Sequence, residues 1–263
     1  MIAAAVVALV VLIGAGLGSQ SSTEHSEARH RALSAARSVA AKIDVHFSGL
    51  ENLLSGLSVA VSTDPKDVDA NDALLRRVKS ELPGAIANIF LLSLDGRNIG
   101  NAVGQHASAG DRDYFKRVLA GDPLVVGDPI RSRSNVGWVI PVARPVKDGG
   151  GAMRAVLVVA TSLDGIRELI GASELPTGGL VRIVANNEVE VATISDAAAE
   201  IGSDLNRMGN ATRQIKLEEG SEVVTLYSNV TRIVGFSRAH RVPWLVAVGL
   251  PVEIGPVRVA KGS

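Results

Sequence analysis

The chain has 263 residues, with 27 basic and 27 acidic side chains and no cysteine. The balanced charge argues against a general nucleic-acid binder, whose surface carries a strong basic excess. The absence of cysteine excludes disulfides, CxxC redox sites and thiolate zinc sites. The length exceeds that of most single-core proteins, so we expect two small domains.

The N-terminus is an uninterrupted apolar segment. Residues 2–18 carry no charged or strongly polar side chain. At ~1.5 Å per residue such a helix spans roughly 26 Å, near the lower limit for crossing a bilayer. A secretory signal peptide is the alternative, but its apolar stretch is usually shorter, and residues 16–22, GLGSQSS, are a poor cleavage site. We interpret residues 1–18 as a membrane anchor.

A long helix is predicted over residues 21–62. Ser21 and Glu24 have capping-box spacing, and the proline at position 65 ends the helix. Apolar residues recur in between at alternating steps of four and three, which is typical of a helix packed lengthwise against a partner. These seam residues are Ala36, Ala40, Ile43, Phe47, Leu50, Leu54, Leu57 and Val61. The length, about 60 Å, indicates that residues 19–64 form a stalk above a membrane. A helix folded along a globule is the alternative.

Residues 65–172 alternate between strand-like and helix-like segments. The expected helices cover 71–81, 111–121 with Asp111 as N-cap, and 164–170. The expected strands cover 85–93, 97–103, 124–130, and a long hairpin of 137–146 and 152–163. We expect these residues to form one domain with an antiparallel sheet.

A second, shorter series of predicted strands occupies residues 173–256. Strands are predicted at 180–185, 188–194, 212–220, 221–229, 232–240 and 244–251, with a turn at 186–187. The fold class is therefore α+β, with a long N-terminal helix and two antiparallel-sheet domains. Residues 257–263 are interpreted as a truncated exit segment, and we expect a second anchor and a cytoplasmic output to follow in the parent protein.

Four stretches carry a resemblance to a known family: DRDYF at 111–115, GDPI at 127–130, the hairpin at 138–166 and WLVAVGLP at 244–251. With this element order, the chain resembles the double Cache (PDC, PAS-like) sensor domain of bacterial transmembrane receptors. The resemblance implies an input module of a histidine kinase, diguanylate cyclase or chemoreceptor, and not an enzyme. It also implies an inner-membrane protein with residues 19–256 outside the cytoplasm, and a ligand in the membrane-distal domain, 65–172.

The resemblance also suggests a ligand site. Amino-acid-binding members carry an arginine followed two positions later by two aromatic residues, and Arg112, Tyr114 and Phe115 match this pattern. The aspartate with which those members hold the ligand ammonium corresponds here to Ala160, or to Thr161 if the alignment slips by one. We therefore expect a small organic carboxylate without an ammonium group. The predicted site residues are Arg112, Tyr114, Phe115, Ile130, Ser132, Trp138 and Thr161.

The arginines of this region have more than one interpretation. Arg112 is suited to bidentate carboxylate recognition beside aromatic rings, but it would equally fit a surface arginine paired with Asp111 or Asp113. The other arginines of this region alternate with apolar neighbours, and we expect them to face solvent. These are Arg131, Arg133 and Arg144.

No motif indicates catalysis. The sequence contains no GxSxG elbow, Walker loop or HExxH, and its five histidines are scattered, so we predict no catalytic residue, metal or cofactor. The leading hypothesis is a ligand sensor that forms a homodimer through the stalk helix. A membrane-tethered hydrolase and a ligand-free envelope scaffold are the alternatives.

Overall fold

The structure is a computed structural model that describes residues 2–134, 136–171, 179–185, 190–194, 218–225 and 231–251. For residues 2–24 and a few strand ends it describes the backbone alone. The predicted turn at 186–187, most of the predicted strand at 212–220 and the exit segment 257–263 lie outside the described residues.

Helices and strands alternate through the first two thirds of the described chain, and strands make up the remainder. The helices are α1 (Ile2–Leu57), α2 (Val68–Ser80), α3 (Asp113–Leu119) and α4 (Leu163–Ile170). The strands before α4 are β1 (Ile86–Ser93), β2 (Asn98–Asn101), β3 (Val125–Val126), β4 (Ile130–Arg131), β5 (Trp138–Lys147) and β6 (Met153–Ser162). The strands after it are β7 (Leu180–Ala185), β8 (Glu190–Ile194), β9 (Glu219–Thr225), β10 (Thr231–Arg238) and β11 (Trp244–Pro251).

Helix α1 is continuous and ends five residues earlier than predicted. The carbonyl oxygen of Leu57 accepts hydrogen bonds from the amides of both Ala60 and Val61, which tightens the last turn. Asn71, only 2% exposed, then accepts a hydrogen bond from the amide of Ser62 (2.9 Å) and donates one to its carbonyl oxygen (2.9 Å). This buried side chain fixes the bend that follows the helix.

Among the residues whose side chains the structure describes, no helix is long and apolar enough to cross a membrane. The predicted anchor, residues 2–18, has helical backbone, but its side chains lie outside the described residues.

The predicted seam of α1 is its buried face. Seven of the eight seam residues, Ala36 through Leu57, are at most 6% exposed, and Val61 packs against the same core. They share one hydrophobic cluster with residues of both sheets, so the seam packs inside its own chain.

The first sheet has the strand order β2-β1-β6-β5-β3, with β4 also paired to β5, and every pair is antiparallel. Alternate residues of the hairpin face opposite sides, as strand geometry requires. Val142 and Val159 belong to the cluster that contains α1, whereas Ala143 and Val158 belong to a second cluster with the aromatic residues of α3. The sheet is therefore covered by α1 on one face and by α3 on the other.

The second sheet has the order β8-β7-β11-β10-β9 and is also antiparallel. Helix α1 lies against it at close range, since a Cβ at Gly235 would come within 2.2 Å of the backbone of Ala32 and Leu33. The Asp44 carboxylate accepts hydrogen bonds from the amides of His240 and Arg241 (2.7–3.0 Å) in the β10–β11 turn. The α+β architecture with a long N-terminal helix and antiparallel sheets confirms the predicted fold class.

Candidate ligand-binding cavity

Helix α3 carries the predicted arginine–aromatic motif and packs on the face of the first sheet opposite to α1. Its N-cap is Arg112 (φ −74°, ψ 139°) and not the predicted Asp111, and no side chain caps the helix. Asp111 does not act as the cap because its carboxylate bonds to Arg133. Tyr114 is 6% and Phe115 2% exposed, so both rings are packed against the sheet.

A small cavity lies between α3, the loop before it, β4 and the hairpin of β5 and β6. It contains about 40 Å³ of free space. This volume holds one or a few water molecules, so the side chains already fill most of the site. Its polar and charged lining residues are Asn98, Ser108, Arg112, Tyr114, Arg131, Ser132, Arg133 and Ser134, and its apolar ones include Phe90, Ile130, Val139, Pro141 and Ala160.

Four of the seven predicted site residues line this cavity, namely Arg112, Tyr114, Ile130 and Ser132. The resemblance placed Arg112 and Tyr114 on a helix, and Ile130 and Ser132 at and just after the end of a strand 16 or more residues further along. The tertiary structure brings the two segments together because β4 pairs with β5, with Ile130 opposite Val139.

The other three predicted site residues lie elsewhere. Phe115 belongs to the hydrophobic cluster under α3. Trp138 is 41% exposed and, by strand alternation, shares the face of Ile140, whereas Val139 and Pro141 line the cavity. Thr161 is fully buried on the α1 side, where its Oγ1 lies 3.4 Å from Nε2 of His46.

Strand β6 turns Ala160 and Thr161 to opposite faces of the first sheet. Ala160 lines the cavity, and its neighbour Thr161 points to the opposite face. Of the two candidate positions for the ammonium-binding aspartate, the one that faces the cavity carries a methyl group.

Arg112 has little to neutralise it. In the described part of the chain, its one hydrogen bond runs from Nη2 to the carbonyl oxygen of Arg131 (3.1 Å), and it forms no ion pair there. The alternative interpretation, a surface pair with Asp111 or Asp113, is not what the structure shows. Arg112 is half-buried, so its charge is only partly hydrated.

Arg133 is exposed, as expected, and it lies at the rim of the cavity. Its Nη1 and Nη2 donate to the two carboxylate oxygens of Asp111 (2.7 and 2.6 Å), and Nη1 also donates to the carbonyl oxygen of Ser108 (2.6 Å). The two residues are 22 positions apart, and no local pattern in the sequence indicates that they meet.

Arg131 agrees with the expectation of solvent exposure, whereas Arg144 differs from it. Arg131 is exposed but contributes to the cavity lining. Arg144 is half-buried on the α1 face of β5, where it donates a hydrogen bond to Oγ of Ser55. Only tertiary contacts between the sheet and α1 show this orientation.

The electrostatics of the cavity favour an anion. Its described lining contains three arginines and no carboxylate. Hydrogen bonds from Arg133 lower the pKa of Asp111 to about 2, so this pair stays ionised at neutral pH. Burial raises the pKa of Tyr114 to about 12, which keeps its hydroxyl neutral and able to donate. Among the described residues, no cluster of three or more metal-ligating side chains is present.

The structure is similar to solved ligand-binding domains of receptors. The extracellular domain of rpHK1S-Z16, named as a histidine kinase, superposes with a TM-score of 0.69 at 19% identity, covering 88% of this chain and 95% of that one. The ligand-binding domain of the Pseudomonas fluorescens chemoreceptor CtaA with L-alanine superposes with a TM-score of 0.65 at 16% identity, covering 83% of this chain and 94% of that one. The ligand-binding domain of the Pseudomonas aeruginosa chemoreceptor PctC with GABA superposes with a TM-score of 0.66 at 17% identity, covering 85% of this chain and 100% of that one.

No protein-family model and no curated protein matches the sequence. At these identities the structural similarity establishes the fold. The fold is that of extracellular ligand-binding domains of histidine kinases and chemoreceptors, which agrees with the resemblance to double Cache domains. These neighbours are sensor domains and not enzymes.

Proposed function

We propose that this chain is the extracytoplasmic ligand-sensing domain of a bacterial transmembrane receptor, and that its cavity binds a small organic carboxylate through Arg112. The observation that carries the proposal is a half-buried guanidinium, without an ion-pair partner in the described chain, on the wall of a cavity whose lining has no carboxylate. A partly desolvated cation is costly unless an anion meets it. A carboxylate accepts two parallel hydrogen bonds from arginine, which supplies that partner.

The ligand lacks an α-ammonium group. An amino acid would bring a positive charge next to the methyl group of Ala160 and the hydroxyl of Ser132, neither of which neutralises it. The hydroxyls of Ser108, Ser132 and Tyr114 are suited to bind neutral polar groups on the acid. The free space is small, so Arg112 and the exposed Arg131 side chain would shift outward as the ligand enters.

The two alternative functions fit the cavity less well. A hydrolase needs a nucleophile beside a general base, and the described lining residues include serines but no histidine or carboxylate. An envelope scaffold without a ligand would have a closed aliphatic core in place of three arginines around a cavity.

The proposed receptor has a definite arrangement in the membrane. Residues 1–18 anchor the chain in the inner membrane, 19–64 form the stalk, 65–172 the membrane-distal domain and 173–256 the membrane-proximal one. The parent protein would carry a histidine kinase or diguanylate cyclase output. The buried seam is occupied by the chain's own sheets, so a homodimer would form through the outer face of α1. There Val45 is 73% exposed, and a Cβ at Gly49 or Gly56 would meet no atom within 4 Å.

Calorimetry tests the ligand assignment. Acetate, propionate, pyruvate and succinate are titrated against L-alanine and GABA into the wild type and into Arg112→Ala. We expect at least one plain carboxylate to bind and Arg112→Ala to lose about 2–5 kcal/mol of its affinity. Arg117→Ala is the matched control, since it removes the same charge from the same helix at an exposed residue paired with Asp122. Unchanged affinity in Arg112→Ala, or tight binding of L-alanine by the wild type, refutes the assignment.

A further inference from the structure

Asp111 is one of the two aspartates adjacent to Arg112 in the chain, and its carboxylate competes with the ligand wherever it can reach that guanidinium. Asp111 precedes Arg112, and both side chains line the same open groove on the outer side of α3. The charge of Arg112 contributes to the lowered pKa of Asp111, after the larger contribution of hydrogen bonds from Arg133. The Coulomb attraction between these two opposite charges favours their pairing.

Arg133 prevents that pairing. Both carboxylate oxygens of Asp111 are engaged by the two terminal nitrogens of Arg133, at 2.6 and 2.7 Å. This parallel arrangement is the strongest geometry available to an arginine–carboxylate pair. The carbonyl oxygen of Ser108 holds the same guanidinium at 2.6 Å, so Arg133 is fixed from two sides.

Of the three arginines that line the cavity, Arg112 and Arg133 differ in how their charges are balanced. The charge of Arg133 is balanced by Asp111, and its guanidinium already makes three short hydrogen bonds. Arg112 makes one, to a neutral carbonyl oxygen. An incoming carboxylate would displace only that neutral contact from Arg112, whereas at Arg133 it would compete with an ion pair.

We propose that Arg133 is a positioning residue that holds the Asp111 carboxylate away from Arg112 and so keeps the Arg112 guanidinium available to the ligand. This inference rests on the proposed carboxylate binding at Arg112. Without Arg133, Asp111 turns to Arg112 and acts as an internal competitor at an effective concentration that no dilute ligand matches.

The first test compares four forms of the full chain by calorimetry with pyruvate: wild type, Arg133→Ala, Asp111→Asn and the double variant. We expect Arg133→Ala to weaken binding by about tenfold or more, equivalent to ~1.4 kcal/mol. Asp111→Asn alone is expected to leave the affinity near that of the wild type. The double variant should regain it, because the competing charge is gone.

The rescue separates the proposed role from simpler ones. If Arg133 contacted the ligand directly, or only stabilised the fold, Asp111→Asn would not restore binding in the Arg133→Ala background. A double variant that binds as weakly as Arg133→Ala overturns the inference. Arg112→Ala is included in the same series. If neither it nor Arg133→Ala alters the binding of pyruvate, the proposed function fails and not merely the role of Arg133.

A second measurement needs no ligand. The Asp111 carboxyl group is titrated by ¹³C NMR in the full chain. We expect its pKa in Arg133→Ala to stay below the ordinary value of 3.8, because Arg112 replaces Arg133 as its partner. In the double variant Arg112→Ala/Arg133→Ala it should rise to about that value. An ordinary Asp111 pKa in Arg133→Ala alone would show that Asp111 does not turn to Arg112, and would overturn the inference.

Discussion

Replacing Gly235 with alanine probes how α1 is joined to the second sheet. An added Cβ would lie 2.2 Å from the carbonyl carbon of Ala32, 2.2 Å from the amide nitrogen of Leu33 and 2.3 Å from the carbonyl oxygen of Ala32. These are backbone atoms of a helix, so no side-chain rotation relieves the contact. The glycine is needed here because the helix backbone lies directly on the strand.

The magnitude follows from the distance. Carbon atoms in contact sit roughly 3.5 Å apart, so α1 must withdraw by about 1 Å along this stretch. Ala32, Ala36 and Ala40 are at most 3% exposed, and a withdrawal would leave gaps beneath them. Overpacking costs 1–3 kcal/mol in a core that can adjust. Because the atoms that the new Cβ meets belong to the helix backbone, we expect the free energy of unfolding to fall by about 3 kcal/mol.

Urea denaturation followed by tryptophan fluorescence measures this loss. Trp244 is 2% exposed and its ring packs edge-to-face on Phe47 at a centroid distance of 5.0 Å, so it reports the unfolding of the α1–sheet unit. In a Trp138→Phe background, Gly235→Ala should lower the midpoint by about 1 M at an unchanged slope. Gly49→Ala is the control, since its Cβ meets no atom within 4 Å, and a helical glycine replaced by alanine gains about 0.5–1 kcal/mol. An unshifted midpoint in Gly235→Ala would refute the close packing.

Two further predictions concern the residues on either side of β6. Burial lowers the pKa of His46 below 6.5. The unfolded chain therefore binds the proton more readily than the folded one does. The stability that neutral His46 contributes is complete above pH ~6.5 and is lost as the pH falls through the folded pKa. Urea midpoints should accordingly fall on acidification in the wild type and less in His46→Gln, and equal slopes would contradict this. Ala160→Asp should supply the missing partner of an ammonium group. Its affinity for L-alanine should rise by about tenfold or more, and its affinity for plain carboxylates should fall. Thr161→Val, on the opposite face, should leave the ligand profile unchanged by calorimetry, and an altered profile would show that the assignment of the two faces is wrong.

The sequence determined the elements whose residues carry a periodic or local signal. The seam of α1 was predicted residue by residue, because a step of four and three marks one face of a helix wherever that face is finally buried. Strand β11 was predicted with its observed ends, Trp244 and Pro251, because this run is continuous and β-rich. Four residues that the resemblance predicted as site residues line one cavity, namely Arg112, Tyr114, Ile130 and Ser132.

The tertiary structure decided the features that depend on long-range contacts. Strand β6 is apolar on both faces, so no alternation in its sequence distinguishes the cavity side from the α1 side, and a one-residue shift exchanges Ala160 for Thr161. The cap of α3 depends on Arg133, which draws the Asp111 carboxylate away from the helix end across 22 residues of chain. A chain's local pattern specifies which side chains can be buried or charged, but an ion pair between distant segments forms only after the strands between them have paired.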